Sequence, residues 1–331
     1  MTEREQWLGL TVEAALDPEL PICDPHHHLW EYPGSRYLLE EFRADLAGGH
    51  NVASTVFVEC LQFYRDSGPE ALRPVGETEH VHQLAAGAEP AQPRIAAGIV
   101  GFADLALGAR VREVLEAHLE ASPRFRGIRH ATAWHASEQV HNAHTRPAEG
   151  LLLDARFREG FAVLVELGLC FDAWIYHPQV PELIDLANAF PQATLILDHM
   201  AGPLGIGPFA GDRQAVRNEW ARQMDELARC ENVLVKLGGR AMTNAGFGWH
   251  KRNRPPGSAE LAEAMQPYIE HCIQAFGPER CMFESNFPVD RASCSYTVLW
   301  NAFKRLGRAY GAAERAALFK GTAERAYRLL H

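Results

Sequence analysis

PICDPHHH, residues 21–28, begins as an apolar run and ends on histidines spaced i, i+2, with Leu29 and Trp30 behind them. Side chains of a strand alternate faces, so His26 and His28 project together from one side, with Asp24 one step behind. Two imidazoles on one face at a strand end can grip a divalent metal or hold a substrate oxygen; they can equally be a satisfied polar spot near the surface. Seven more short runs rich in Val, Ile and Leu follow, at 53–60 (ASTVFVEC), 94–102 (RIAAGIVGF), 126–131 (RGIRHA), 169–176 (LCFDAWIY), 194–199 (TLILDH), 232–238 (NVLVKLG) and 280–286 (RCMFESN). Helical patterns separate them, among them VREVLEAHLEAS, ARFREGFAVLVELG, VPELIDLANAFP, QAVRNEWARQMDELARC and AELAEAMQPYIEHCIQAFG, with acidic or Pro starts and Gly or Pro stops. Strand then helix, eight times over, is the count and length of a single (β/α)8 TIM barrel. A doubly wound sheet is the alternative, but no GxGxxG follows the first run.

Composition fits one such unit. The chain has 331 residues, 47% of them hydrophobic, and divides into an N-terminal extension, 1–19, and a barrel catalytic domain, 20–331. A formal charge of −10 without a basic stripe argues against nucleic acid as a partner. The seven cysteines are dispersed and none form CxxC, which gives no support to a disulfide framework or a thiolate zinc site. The N-terminal stretch is polar and acidic, and no apolar run approaches the ~20 residues of a membrane span. A cytoplasmic protein without a membrane partner is expected, and a homo-oligomer is left open.

In a barrel the strand exits carry the chemistry. Read off in order, these are His26 and His28, Glu59 and Gln62, Asp104, Arg129 and His130, Tyr176 and His177, Asp198 and His199, Lys236, then Asn286 and Asp290. Polar and titratable groups stand at every one, a pattern that favours an active site over a decorated surface.

The HxH of strand one, His177 in FDAWIYHPQVPELIDLANAFP, LILDHMAGP around His199, VKLGG, ESNFPVD and the closing KGTAERAYRL together resemble the amidohydrolase-related family of TIM-barrel hydrolases. The similarity runs from about residue 20 to 330 and is nearest to the branch of sugar-lactone and pyrone-dicarboxylate lactone hydrolases, the fuconolactonase-like and rhamnonolactonase-like enzymes. The resemblance implies nitrogen ligands at His26, His28 and His177 for a divalent ion such as zinc or manganese, with His199 assisting proton transfer or orienting the carbonyl. It also implies an aspartate at strand eight, where this chain has Asn286. An amide is a neutral ligand and takes no proton from water, which weakens both a tightly held metal and general-base function there. Two repairs are open. Asp290 can supply the missing carboxylate, or the lactone opens without a metal while His26, His28, Arg129 and Lys236 polarise the carbonyl. Asp290 has a plainer reading as the N-cap of a helix starting near 293–296.

Lys236 inside VLVKLGG needs a carboxylate, and Asp24 or Glu59 is the expected partner. Asp172, Asp198 and Glu284 are read as supporting groups rather than catalysts. Specificity is assigned to the loops after strands four and seven. These bring His130, Arg240 and Trp249, and the exits of strands five and eight bring Tyr176 and Asn286, to the side of Arg129, the expected anchor for a carboxylate-bearing small-molecule substrate. The sequence is therefore read as a hydrolase that opens a sugar-acid or dicarboxylate lactone, with His26, His28, His199 and Asp290 as catalytic candidates. A metal-dependent amidohydrolase or decarboxylase of the same fold, and a barrel that binds without catalysis, are the alternatives.

Overall fold

The computed structural model describes residues 2–88 and 93–329. Eight parallel strands lie in sequence order in one sheet: β1 (Ile22–His27), β2 (Val52–Val58), β3 (Arg94–Gly101), β4 (Phe125–Ile128), β5 (Cys170–Ala173), β6 (Thr194–Leu197), β7 (Val233–Leu237) and β8 (Cys281–Phe283). The ring closes beyond the end of β8, where Asn286 N donates to His26 O at 3.0 Å and His28 N donates to Phe287 O at 2.8 Å. All eight strands fall on the expected runs. The architecture is a (β/α)8 barrel.

A helix follows each strand. After α1 (Glu3–Leu8), they are α2 (Leu39–Leu46), α3 (Val75–Ala88), α4 (Val111–Ala121), α5 (Ala155–Glu166), α6 (Val180–Ala189), α7 (Arg213–Leu227), α8 (Ser258–Phe276) and α9 (Tyr296–Gly307). Side-chain caps set several of their starts, since Asp154 accepts from Arg156 N and Phe157 N, and Asp212 from Ala215 N, satisfying amides with no partner inside the helix. A short hairpin, Trp30–Tyr32 with Ser35–Tyr37, stands between β1 and α2 at the mouth.

Strand alternation sorts the core into two layers. Ile22, Phe57 and Ile99 face the helices, whereas Cys23, Val56, Val58 and Val100 face the barrel axis with Ile196 and Met282. The chain's last described segment enters that inner layer: Tyr327 and Leu329 pack there, and Tyr327 Oη donates to Asp172 at 2.7 Å. The N-terminal segment lies across the β7 and β8 side, with Trp7 Nε1 donating to Arg252 O, Leu16 N to Asn301 Oδ1 and Ser258 N to Glu13 Oε1. Among the described residues no helix is long and apolar enough to cross a membrane.

Packing leaves no room at Gly127 on β4, where an added Cβ would stand 2.1 Å from the Cys170 carbonyl of β5; around Gly87 in α3 nothing lies within 4 Å. Opposite signs follow for one substitution. Gly127→Ala is expected to destabilise by about 1–3 kcal/mol through overpacking, and Gly87→Ala to stabilise by about 0.5–1 kcal/mol through helix propensity. Urea unfolding midpoints check both.

Candidate active site

The site grows from a buried charge network at the strand exits. Lys236 of β7 is fully buried; its Nζ lies 2.6 Å from Asp172 Oδ2, 3.0 Å from Asp198 Oδ1 and 3.0 Å from His26 Nδ1. The ion pair is present, but with Asp172 and Asp198 rather than Asp24 or Glu59. Asp24 turns instead toward the β8 turn and α9, accepting from Ser285 N and Tyr296 Oη at 2.9 Å each, and Glu59 is taken by Arg129. Burial works against the Lys236 charge, but Asp172 and Asp198 outweigh it and hold the ammonium protonated. Burial also opposes the Asp198 carboxylate; Lys236 and His26 prevail and hold it well below the usual carboxylate range.

The i, i+2 pair of β1 behaves as expected, although an irregularity between Asp24 and His27 breaks the alternation that runs from Cys23. His26 and His28 share the inner face with their Nε2 atoms 3.2 Å apart, while His27 stacks on Phe42 of α2 with ring centroids 4.2 Å apart. His28 is oriented by a 2.8 Å bond from Nδ1 to Val58 O, and burial followed by the charge of His26 keeps it neutral. His26 meets Glu284 Oε2 at 2.9 Å and Arg129 Nη1 at 3.3 Å.

His199 completes the cluster. Its Nδ1 is 2.6 Å from Glu284 Oε1 and its backbone N donates to the same oxygen at 3.1 Å. Burial raises Glu284, but His199 and His26 overcome it and hold the carboxyl at about 2. The proton of that short bond therefore belongs to the ring, so Nδ1–H donates to the carboxylate and Nε2 is the ring nitrogen that Glu284 does not engage. Three consecutive non-glycine residues, His199, Met200 and Ala201, have φ of 56°, 53° and 59°, a left-handed turn that stores strain at the β6 exit. Glycines clear the space for it: a Cβ on Gly238 would meet Glu284 Cγ at 2.3 Å, and one on Gly239 would meet the His199 ring at 2.6 Å.

Above this cluster is a cavity of about 200 Å³ lined by His28, Trp30, Tyr32, Arg129, His144, Trp174, His199 and Asn286, with Cys60, Met242 and Val289. It adjoins a wider vestibule of about 1080 Å³ that shares Trp30, Tyr32, Met242 and Val289 and is also lined by Tyr176, Thr243 and Asn244. Trp174 sets its ring edge-on to His199, centroids 4.8 Å apart. Sequence reasoning did not single out Trp174, although it sits in the quoted FDAWIY run; its only signal was its place at the β5 exit.

Other expected residues lie elsewhere. His177 is outside the cluster: its Nδ1 accepts from Leu204 N at 3.4 Å and its ring abuts Phe209. Among the described residues, the group of three whose ligand-type atoms all lie within 4.8 Å of one another is His26, Asp198 and His199; His28 and His177 of the expected set are not part of it. His130 packs against Phe102 and Phe157, and burial drops it to about 4. Arg240 turns under the loop to donate to Pro203 O and lies over Tyr268, while Trp249 stacks on Phe247. Arg240 and Trp249, expected to meet substrate after β7, are thus satisfied by aromatic packing and a backbone carbonyl instead. Asp290 is buried beneath Asn286, whose Nδ2 donates to it at 3.4 Å; burial, then Glu284, push its carboxyl well above the usual range. A carboxyl kept protonated is no base. Nor does it cap α9, where Ser295 accepts from Val298 N.

Arg129 anchors Glu59, through Nε at 2.7 Å and through Nη2 to the Glu59 carbonyl at 2.6 Å, and only its Nη1 edge faces His26. Four buried carboxylates, Glu59, Asp172, Asp198 and Glu284, thus meet two fixed cations, Lys236 and Arg129. Removing one fixed cation exposes the imbalance: Lys236→Met is expected to cost about 3–5 kcal/mol, and adding Asp172→Asn should recover part of it. A Lys236→Met urea midpoint equal to that of the parent protein would show the pair to be dispensable.

Comparison with known proteins agrees with this geometry. An amidohydrolase family model matches residues 23–329. An uncharacterized protein, y4mH, of Sinorhizobium fredii is 32% identical over 94% of this chain and 99% of its own length. The L-fucono-1,5-lactonase of Burkholderia multivorans is 28% identical over 92% of this chain and 95% of its own. A solved amidohydrolase of the same species with bound zinc superposes with a TM-score of 0.72 at 25% identity, covering 93% of this chain and 99% of that one. A putative 2-pyrone-4,6-dicarboxylic acid hydrolase of Pseudomonas putida shares the fold, with a TM-score of 0.65 at 16% identity over 94% and 99% of the two chains. The chain belongs to the amidohydrolase family, on its lactonase-like branch.

Proposed function

We propose that the protein hydrolyses the ester bond of a small lactone, derived from a sugar acid or a dicarboxylate. The observation that carries this is the His199–Glu284 pair, 2.6 Å apart, presenting an imidazole to a cavity of about 200 Å³. A cavity below the ~300–1,000 Å³ of drug-sized sites suits one five- or six-membered ring. The fuconolactonase relatives support the class of substrate. Rings can stack on Trp30 and Trp174 at its wall.

In this scheme His199 Nε2 takes a proton from water as the oxygen attacks the ester carbonyl, and Glu284 stabilises the imidazolium that forms. Arg129 and His28 line the same cavity, where the Arg129 guanidinium stabilises charge on the carbonyl oxygen. Collapse breaks the bond between the acyl carbon and the ring oxygen and releases a hydroxy carboxylate. Burial of the network behind His199 keeps this charge separation out of bulk water.

The residues also fit a divalent cation. Asp198 is held by the charges of Lys236 and Arg129 but accepts no well-formed hydrogen bond among the described residues, His26 and His199 supply nitrogen, and four buried carboxylates face two fixed cations. Held by His26, Asp198 and His199, zinc or manganese would supply Lewis-acid polarisation of the carbonyl. This favours, as a second reading, a metal-dependent hydrolase in which His199 is a ligand rather than a base.

A panel of γ- and δ-lactones followed by acid release tests the function. His199→Ala is expected to lower kcat by about 10²-fold or more, the usual size of a lost proton-transfer group. Absence of turnover on every lactone by the parent protein would overturn the assignment, and an unchanged rate in the variant would remove His199 from the reaction. Activity that survives chelation supports His199 as base; activity lost to chelator and restored by zinc or manganese supports the second reading.

A further inference from the structure

The departing ring oxygen needs a proton, and His199 is placed for only one of the two transfers. Its Nδ1 and its backbone N are both fixed to Glu284, its backbone is left-handed and Trp174 flanks the ring, so it cannot easily follow the reaction from water to leaving group. A second histidine borders the same cavity. We propose that His144 is the acid that protonates the leaving oxygen, an assignment that rests on the lactone-opening reading.

Topology puts His144 on the far side of the mouth. In an eight-stranded ring β2 and β6 are four strands apart, so Glu59 at the β2 exit faces His199 at the β6 exit. His144 comes from the loop between β4 and α5, and its Nε2 lies 3.1 Å from the Glu59 carboxylate, which draws the ring to the β2 side. Its side chain is 32% exposed in a site whose other titratable groups are nearly all buried. With Nε2–H given to Glu59, Nδ1 is the ring atom left to a ligand, and no hydrogen bond to it occurs among the described residues.

The electrostatics suit a donor. The charged and titratable groups facing His144 are Glu59, the Arg129 guanidinium bound to the same carboxylate, and His130. Burial opposes the Glu59 charge, but Arg129 and then His144 hold it at about 2. The one carboxylate that the His144 ring meets is shared with Arg129. His130 is neutral at working pH, so it adds no repelling charge.

The step balances. Water loses a proton to His199 Nε2 as its oxygen bonds to the acyl carbon; the bond from that carbon to the ring oxygen then breaks, and the ring oxygen takes the Nδ1 proton of His144. The new carboxylic acid ionises, His199 returns its proton to solvent through the vestibule, and His144 is reprotonated. One water is consumed per ring opened.

A leaving-group comparison tests it, because a phenoxide departs without an acid and an alkoxide does not. Dihydrocoumarin supplies the phenol and δ-valerolactone the alcohol, each assayed with the parent protein, His144→Ala, His144→Gln and His199→Ala. The His144 variants are expected to lose about 10²-fold in kcat on δ-valerolactone but under about 3-fold on dihydrocoumarin, whereas His199→Ala loses on both. His144→Gln can keep the contact to Glu59 and serves if the alanine variant does not fold. Equal losses on the two substrates, or no loss on either, overturn the role of His144 while leaving lactone hydrolysis standing. A parent protein inactive on both and on every lactone of the wider panel overturns the lactone reading and the acid with it.

Discussion

A lysine ammonium at the axis of a closed barrel is the constraint from which the rest of the site follows. Lys236 cannot be buried alone, and the structure meets its charge with Asp172 from β5 and Asp198 beyond β6, then ties Asp172 to Tyr327 from the end of the chain. Asp198 in turn approaches His26, and His26 approaches Glu284. Each group is held by a partner on another strand, so no side chain in the network can move without unpairing a buried charge. That rigidity is what a preorganised site needs.

The same network explains why the histidines differ although they stand within a few ångströms of one another. His28 is tied to a backbone carbonyl and kept neutral; His26 sits between a lysine and two carboxylates; His199 has one nitrogen committed to Glu284. Environment, not residue type, assigns their chemistry. The left-handed turn after β6 is part of this arrangement. It lets both the backbone N and the ring of His199 reach one oxygen of Glu284, at the cost of strain that the Gly238–Gly239 clearance accommodates.

Local pattern made the architecture legible. The runs that became β1 to β8 could be read from Val, Ile and Leu clusters between capped helical stretches, and the i, i+2 spacing of His26 and His28 placed both on the inner face. Glu284 and Asp198 were visible at strand exits but were read as supporting groups, because an alternation pattern says which face a carboxylate takes and not which imidazole it meets. His177 illustrates the converse. It follows β5 closely in sequence, yet its ring turns to Leu204 and Phe209, a choice settled by the packing of two loops distant in the chain. Arg240, Trp249 and Asp290 were misplaced for the same reason, each satisfied by an aromatic ring, a carbonyl or an amide that composition does not reveal.

Sequence by itself determined the periodicities: which segments are strands, which are helices, and which polar residues cap the strands at the end where catalysis occurs in this fold. Those are short-range properties, fixed by backbone geometry and by the alternation of buried and exposed positions. Tertiary structure alone decided the pairings: Lys236 with Asp172 and Asp198, His199 with Glu284, His144 with Glu59. These join residues as much as 85 positions apart, and their protonation depends on burial and on the neighbouring charges. Both conditions exist only once the barrel has closed.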